Sequence, residues 1–246
     1  MAEDTLSSDF YWDNVVFKVE DQLFCVPRFE FVRLSEVFAD MFCLPSGPTR
    51  QREGQDREHP IVLEGYKKDE FNSLLRVMYP TAGSLISDTK LDLGLTKEEW
   101  VSVLKLSVIW SMPKIRDYAI HWLSTDMVLS PIEKIVLARA HKVAVWLHEG
   151  VTSLVESNDE TPTLKELAPL GWETAAQILW IRNYLPKTDP ETLSFKANAV
   201  NFCGQNCDIM QVKVTTGILE EMVEDIFGEE IQSYAPRTLD TVPEPN

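Results

Sequence analysis

Residues that could do chemistry are few in this chain, and their spacing is poor. Cys203 and Cys207 stand four apart, so on a helix they would share a face. Structural zinc takes about four ligands in a tetrahedral array. The histidines, His59, His121, His141 and His148, lie too far along the chain to complete a local set. The expected reading of the two cysteines is small apolar side chains in a core or loop. His141 and His148 are seven apart in a helical region and could face one way, but a lone pair of this kind is more often surface or core than catalytic. No HExxH, no GxSxG and no phosphate-cradling glycine loop occurs. Carboxylates are abundant, but acid–base work needs two of them in one cleft. The chain is therefore expected to be no enzyme, with no cofactor and no metal. The rival from that class is a small enzyme or metalloprotein built on Cys203, Cys207 and the histidines.

Charge narrows the partners. The 23 basic and 39 acidic residues give a net charge of -16, which repels phosphate backbones and anionic lipid surfaces. The best basic run, Arg50, Arg52, Arg57 and His59, is interleaved with Glu53, Asp56 and Glu58 and reads as a solvated loop. Direct nucleic-acid binding and membrane binding are not expected. The N-terminal residues, Met1 to Asp9, are acidic and polar and do not resemble a secretory signal. No apolar run approaches the roughly 18 residues of a membrane span. An intracellular location, cytoplasm or nucleus, is expected, with the four cysteines reduced.

Aromatic residues are the remaining chemistry. Trp100, Trp110, Trp122, Trp146, Trp172 and Trp180 fall mostly in helical patterns beside Leu, Ile and Val, so core packing is the expected account. Phe10, Tyr11 and Trp12 are adjacent, and three successive side chains cannot all point inward from a strand. At least one is expected to be exposed or covered by a partner.

The elements that must position these residues begin with strands. Asp13 to Glu20 partly alternates apolar and polar residues, Asp21-Gln22 offers a turn, and Leu23 to Val26 forms a second run. Ser35 is a plausible N-cap for a helix carrying Val37, Phe38, Met41 and Phe42. Ser46 to Pro60 is polar and loop-like, and Ile61-Val62-Leu63 reads as a third strand. Phe71, Leu74, Leu75 and Met78 form one apolar helical stripe, ended by Tyr79-Pro80. Thr96 with Glu99 is a capping box, and Trp100, Val103, Leu104, Ser107 and Val108 make the inner face of the helix it opens. Pro113 starts the next helix, with Ile115, Ala119, Trp122 and Leu123 inward.

Beyond Leu129 only helices are expected. Ser130 with Glu133 and Thr163 with Glu166 are further capping boxes; Trp146, Leu147, Val151 and Leu154 mark a partner helix; Gly171 suits a stop before a helix from Trp172 to Leu185. Ile218, Leu219, Met222, Val223, Ile226 and Phe227 form a stripe opposite Glu220, Glu221, Glu224 and Asp225. It either packs back on the helical extension, the favoured reading, or serves as a partner helix with an acidic outer face.

Asp13-Asn14-Val15-Val16-Phe17 followed by Phe24-Cys25-Val26-Pro27-Arg28 resembles the opening of a BTB/POZ domain. Ser35 to Phe42, Ile61-Val62-Leu63 and Phe71 to Pro80 look like the helix, strand and helix that follow in that family. Leu104 to Ser107 and Ile115 to Ala119 resemble its closing helix pair, and Pro131 to Leu147 resembles the helical extension of its fungal group. The resemblance runs from about Phe10 to Leu185. It departs from the family at Pro27, where a histidine is usual.

The resemblance implies an α+β fold, a small BTB/POZ-type sheet covered by helices, followed by an all-helical extension. The boundaries it implies are a tail at 1–9, the BTB/POZ-like domain at 10–125, a helical extension at 126–185 and a C-terminal segment at 186–246. It implies a non-enzymatic adaptor or scaffold that binds other proteins and forms a homodimer. With a short segment before Asp13, the surface would be the Phe29 to Phe42 region rather than a long exchanged strand. It further implies docking of a cullin scaffold, and hence substrate recruitment for ubiquitination, around Met78 to Pro80 and Ile109 to Met112. The partner-binding candidates are Phe10, Tyr11, Trp12, Phe29, Phe31, Met78, Tyr79, Pro80, Trp110 and Met112. An indirect transcriptional co-regulator is the remaining alternative, since some BTB proteins carry DNA-binding modules and none is visible here.

Overall fold

Val16 and Phe17 sit at the centre of a short strand whose apolar side chains are almost entirely hidden, and the first half of the chain is built around them. The computed structural model describes residues 12–44, 53–81, 93–156, 161–184 and 207–234, the last helix with side chains from 219 onward. It is a mixed α+β structure whose residues fall into two compact units, Met1–Val128 and Leu129–Asn246.

In the first unit, β1 (Asn14–Val19) pairs antiparallel with β2 (Gln22–Pro27) and parallel with β3 (Ile61–Val62), giving the order β2-β1-β3. Val19 faces Gln22, so the two-residue turn is Glu20-Asp21, one position earlier than Asp21-Gln22. Glu20 takes φ 54°, the positive angle that primed hairpin turns need. What holds a glutamate there is distant in sequence. Its carboxylate accepts a bond of 3.1 Å from the Lys68 backbone N–H at the start of α3 (Lys68–Met78), and Asp21 pairs with the Lys68 ammonium at 2.8 Å. The N-cap residue of α3, Lys67, has no side-chain cap of its own, so the hairpin tip caps that helix.

A helix not expected from sequence follows the hairpin directly: α1 (Arg28–Leu34), then α2 (Glu36–Cys43). Pro27 is both the last residue of β2 and the residue before α1, so strand and helix share one joint with no intervening loop. Ser35 ends α1 and caps α2, its hydroxyl accepting from the Phe38 N–H at 3.1 Å. The same hydroxyl donates to the Trp110 carbonyl at 2.5 Å. Trp110 ends α4 (Lys97–Ile109), which the Thr96–Glu99 capping box opens as expected. α5 (Pro113–Thr125) then packs on α4, with Ile115, Ala119, Trp122 and Leu123 buried. Val108 corrects the expected inner face of α4. It is 36% exposed, while Leu106 and Ser107 are buried.

The core of this unit is aromatic. Phe17 lies 4.9 Å from Phe31 and 5.6 Å from both Phe38 and Phe71, and Trp110 closes the group at 5.2 Å from Phe38 and 5.8 Å from Phe71. Most of these pairs are edge-to-face, the arrangement ring quadrupoles favour. Trp100 and Trp122 stack at 5.5 Å between α4 and α5.

In the second unit, α6 (Pro131–His141) and α7 (Ala144–Glu156) form an antiparallel pair. Gly150 lets them close up, because a Cβ there would lie 2.8 Å from the Pro131 carbonyl oxygen and 2.7 Å from Ile135 Cγ1. The Ser130–Glu133 and Thr163–Glu166 boxes are both formed. The second opens only a four-residue helix, α8 (Leu164–Leu167), continued by a 3-10 turn to Leu170 and stopped at Gly171 with φ 83°. After it come α9 (Trp172–Tyr184) and α10 (Cys207–Ser233). Leu219, Val223 and Phe227 of α10 are buried and the helix contacts α7 and α9, so the C-terminal stripe packs back on the helical extension.

The loop 53–60 is less detached than its polarity suggests. The Val16 N–H donates to the Gly54 carbonyl at 2.8 Å, and Gly54 lies buried at φ 85°. A Cβ on it would meet Val15 Cγ2 and Ile61 Cδ1, each at 2.8 Å. Gly65 has a similar φ of 81° with open space around it. Gly54→Ala is expected to cost roughly 2–4 kcal/mol in denaturant unfolding, and Gly65→Ala about 1, since only the first adds a core clash to the strained backbone. Equal losses at the two sites would remove the clash from the explanation.

Candidate interaction surface

Seven residues are too few for α1 to bury more than one line of side chains. Phe29 and Phe31 are two apart and so point to different sides of the helix. The structure sends Phe31 inward, fully buried, and leaves Phe29 at 43% and Val32 at 40% exposure. Phe29 and Val32 are one turn apart and share the outer face. Trp12 adds to it, 52% exposed with its ring 6.0 Å from that of Phe29. Arg33 is drawn aside by Glu30, at 2.6 Å, and Arg28 lies over the Phe42 ring at 5.2 Å. The result is an apolar patch with its neighbouring charges paired along its edges.

Four expected contact residues therefore change role. Phe31, Met78, Trp110 and Met112 are all buried, Phe31 and Met112 completely, and they hold the unit together rather than forming a surface. Tyr79 and Pro80 are half-buried. The Tyr79 hydroxyl donates to the Pro27 carbonyl, joining the end of α3 to the end of β2. Burial, and then the negative charge of Glu30, pushes the Tyr79 phenol above its usual range, so it stays a donor at any physiological pH. Phe10 and Tyr11 lie outside the described residues. The corner between α4 and α5 exposes Val108 and, at 44%, Ile109, neither of which burial periodicity alone distinguishes from the core. Val32 and Val37, inside the expected Phe29 to Phe42 region but not among the named contact residues, are exposed too, because two short helices carry more apolar residues than they can hide.

The second unit offers a groove of about 530 Å³, lined in part by Arg139, Trp172, Thr174, Phe227 and Glu230. Several of its polar groups bond to one another. Arg139 donates from Nε and Nη2 to the two Glu230 oxygens at 2.8 and 2.9 Å, and from Nη1 to Thr174 Oγ1 at 2.8 Å and the Leu170 carbonyl at 3.3 Å. Tyr234 donates to the same carboxylate at 2.5 Å. The Arg139 hydrogen bonds hold the Glu230 carboxyl below its usual value, while burial and Glu230 push the Tyr234 phenol up to about 12. Four of the five guanidinium donors are engaged in these bonds, so the arrangement fastens α10 to α6 and to the start of α9.

Among the described residues no group of three or more His, Cys, Asp or Glu could hold a metal ion. Cys203 lies outside those residues, and of Cys207 only the backbone is described. Cys25 and Cys43 are exposed free thiols. No described helix is long and apolar enough to cross a membrane.

Because the folded Glu230 value is depressed, its contribution to stability is present above the unfolded value near 4.5 and is lost as pH falls through the folded value. Glu230→Gln is expected to lower the thermal midpoint at neutral pH, with the gap to wild type narrowing as the pH drops below that range. A gap that stays constant down to pH 3 would assign the loss to packing alone.

No family model matches the chain, and no curated protein matches it.

Proposed function

We propose that the chain is a non-enzymatic protein-binding adaptor of the BTB/POZ kind that self-associates through the outer face of α1. The single observation that carries this reading is the Trp12–Phe29–Val32 surface: Phe29 and Val32 on the outer face of α1, with Trp12, which precedes β1, beside them, each at least 40% exposed, while Phe31 of the same helix is locked into an aromatic core. Exposed apolar groups gathered on a rigid element are what protein–protein contacts use. The sequence resemblance supports the same reading. So does the order of elements, a hairpin, two helices, a third strand, a helix and a closing helix pair. A mixed α+β unit of this kind followed by a helical one suits a module with an arm.

The narrower proposal, docking of a cullin scaffold, rests on the resemblance and on what is accessible at the matching positions. Tyr79, Pro80 and Ile109 remain for contact, with Val108 beside them, while Met78, Trp110 and Met112 form the support underneath.

Sedimentation velocity on the full chain tests the first proposal. The wild type is expected to associate with rising concentration, and Phe29→Asp with Val32→Asp to return it to monomer with an unchanged circular dichroism spectrum. A wild type that stays monomeric into the high micromolar range would sink it. For the narrower proposal, capture from native lysate is expected to recover a cullin with wild type and several-fold less with Ile109→Asp. Recovery of none with either would remove it.

A further inference from the structure

The strand β2 is an edge of the sheet, and its register fixes which backbone groups face outward. Val16 and Lys18 of β1 turn their backbone groups away from β2. The Val16 N–H donates to the Gly54 carbonyl at 2.8 Å, and the Lys18 carbonyl accepts from the Leu63 N–H at 2.9 Å. Successive residues of a strand alternate in direction, so Val15, Phe17 and Val19 are the residues that bond to β2. Their partners are Val26, Phe24 and Gln22. Leu23, Cys25 and Pro27, opposite Lys18, Val16 and Asn14, therefore turn their backbone groups to the free edge.

Only two of these three positions are open. Pro27 has no N–H, and its carbonyl already accepts from the Tyr79 hydroxyl. Leu23 and Cys25 each present one N–H and one C=O, with no partner on that side among the described residues. Leu23 is 44% exposed and Cys25 is exposed, while Phe24 between them is buried. Proteins blunt an unwanted edge with lysine or proline. Here the proline closes only the end, and the open positions carry a leucine and a cysteine.

We infer that the β2 edge is a docking site for an extended segment of another protein, which adds as a fourth strand at Leu23 and Cys25. The hydrogen-bond pattern selects this occupant. Two N–H and two C=O groups, on residues two apart along a strand, are matched by the backbone of another strand. Antiparallel pairing, the stronger arrangement, gives four bonds. Apolar side chains at alternate positions of the segment lie beside Leu23 and Cys25 on the exposed face. The net charge of -16 favours basic residues at its flanks. A second folded copy fits less well. A two-residue edge offers a small part of the roughly 1,200 Å² that a stable contact between folded proteins buries. A linear segment binds such an edge through its backbone and needs no broad surface. The edge shares no residue with the α1 face, so the two proposals stand or fall separately.

The test uses a synthetic peptide with valine and threonine alternating between lysine pairs, fluorescently labelled and titrated with the full chain. It is expected to bind with its valines beside Leu23 and Cys25. N-methylation of the valines removes the N–H groups that face β2, and is expected to raise the dissociation constant at least about tenfold. N-methylation of the threonines, whose N–H groups face away, is expected to change it less than about threefold. Cys25→Pro removes an outward donor and no bond of the β1–β2 ladder, and is expected to weaken binding as the valine methylation does, with an unchanged circular dichroism spectrum. In hydrogen exchange, the Leu23 and Cys25 amides are expected to be unprotected in the chain alone and to slow at least about tenfold with peptide, while Phe24, already bonded to β1, changes little. No binding at millimolar peptide would overturn the site. Equal losses from the two methylations would trace binding to side-chain stickiness and overturn it too. Leu23 and Cys25 amides already protected without peptide would also overturn it: protection at every concentration would mean that the same chain covers the edge, and protection that grows with concentration would mean that a second copy does.

Discussion

The first unit turns on one hydroxyl. Ser35 accepts from the Phe38 N–H and donates to the Trp110 carbonyl, 75 residues away, and it is 1% exposed. A hydroxyl can do both at once because it has a donor and free lone pairs. Losing it would leave a helix terminus uncapped and a buried carbonyl without its partner, costs that add because neither group can reach water. The bond joins the start of α2 to the end of α4, so it sets where Phe38 and Trp110 meet. Those two rings close the cluster around Phe17, Phe31 and Phe71. The inward direction of Phe31 in turn fixes the outward direction of Phe29 and Val32. The candidate surface is thus the reverse side of the core.

The second unit shows the same economy with charge. Arg139 gathers Glu230, Thr174 and the Leu170 carbonyl, three points on three segments. A planar guanidinium with five fixed donors suits this task in a way a lysine would not. The groove beside it has the size of a small-molecule site, yet its one cation is matched by a carboxylate in a two-bond fork. Size alone therefore does not make it a binding site.

The exposed aromatics follow from how few layers there are. A three-stranded sheet and short helices bury Phe17, Phe31, Phe71 and Trp110, and a set of helices buries Trp146. Phe29, Trp172 and Trp180 are left over. A net charge of -16 opposes the approach of two copies, and at physiological salt that repulsion is largely screened beyond about 8 Å.

Features set by neighbours in sequence were legible in the sequence itself. The three capping boxes, the Ser35 cap, the Pro113 start and the Gly171 stop all form as read, because a cap needs only a side chain and the backbone three residues on, and the proline and glycine act through their own backbone angles. The stripe of Phe71, Leu74, Leu75 and Met78 was equally plain, since four residues one turn apart define a face. What the sequence by itself did not determine is which apolar residue meets another element. Trp146 and Trp172 sit in similar helical patterns, yet one is 1% exposed and the other 85%. Phe31 and Phe29, or Leu106 and Val108, part in the same way. The turn at Glu20-Asp21 belongs here too, because the strained glutamate is held by the start of α3, 48 residues on. Caps and periods are local, so composition and spacing express them. Burial depends on which surface arrives from elsewhere in the chain, and only tertiary packing decides that.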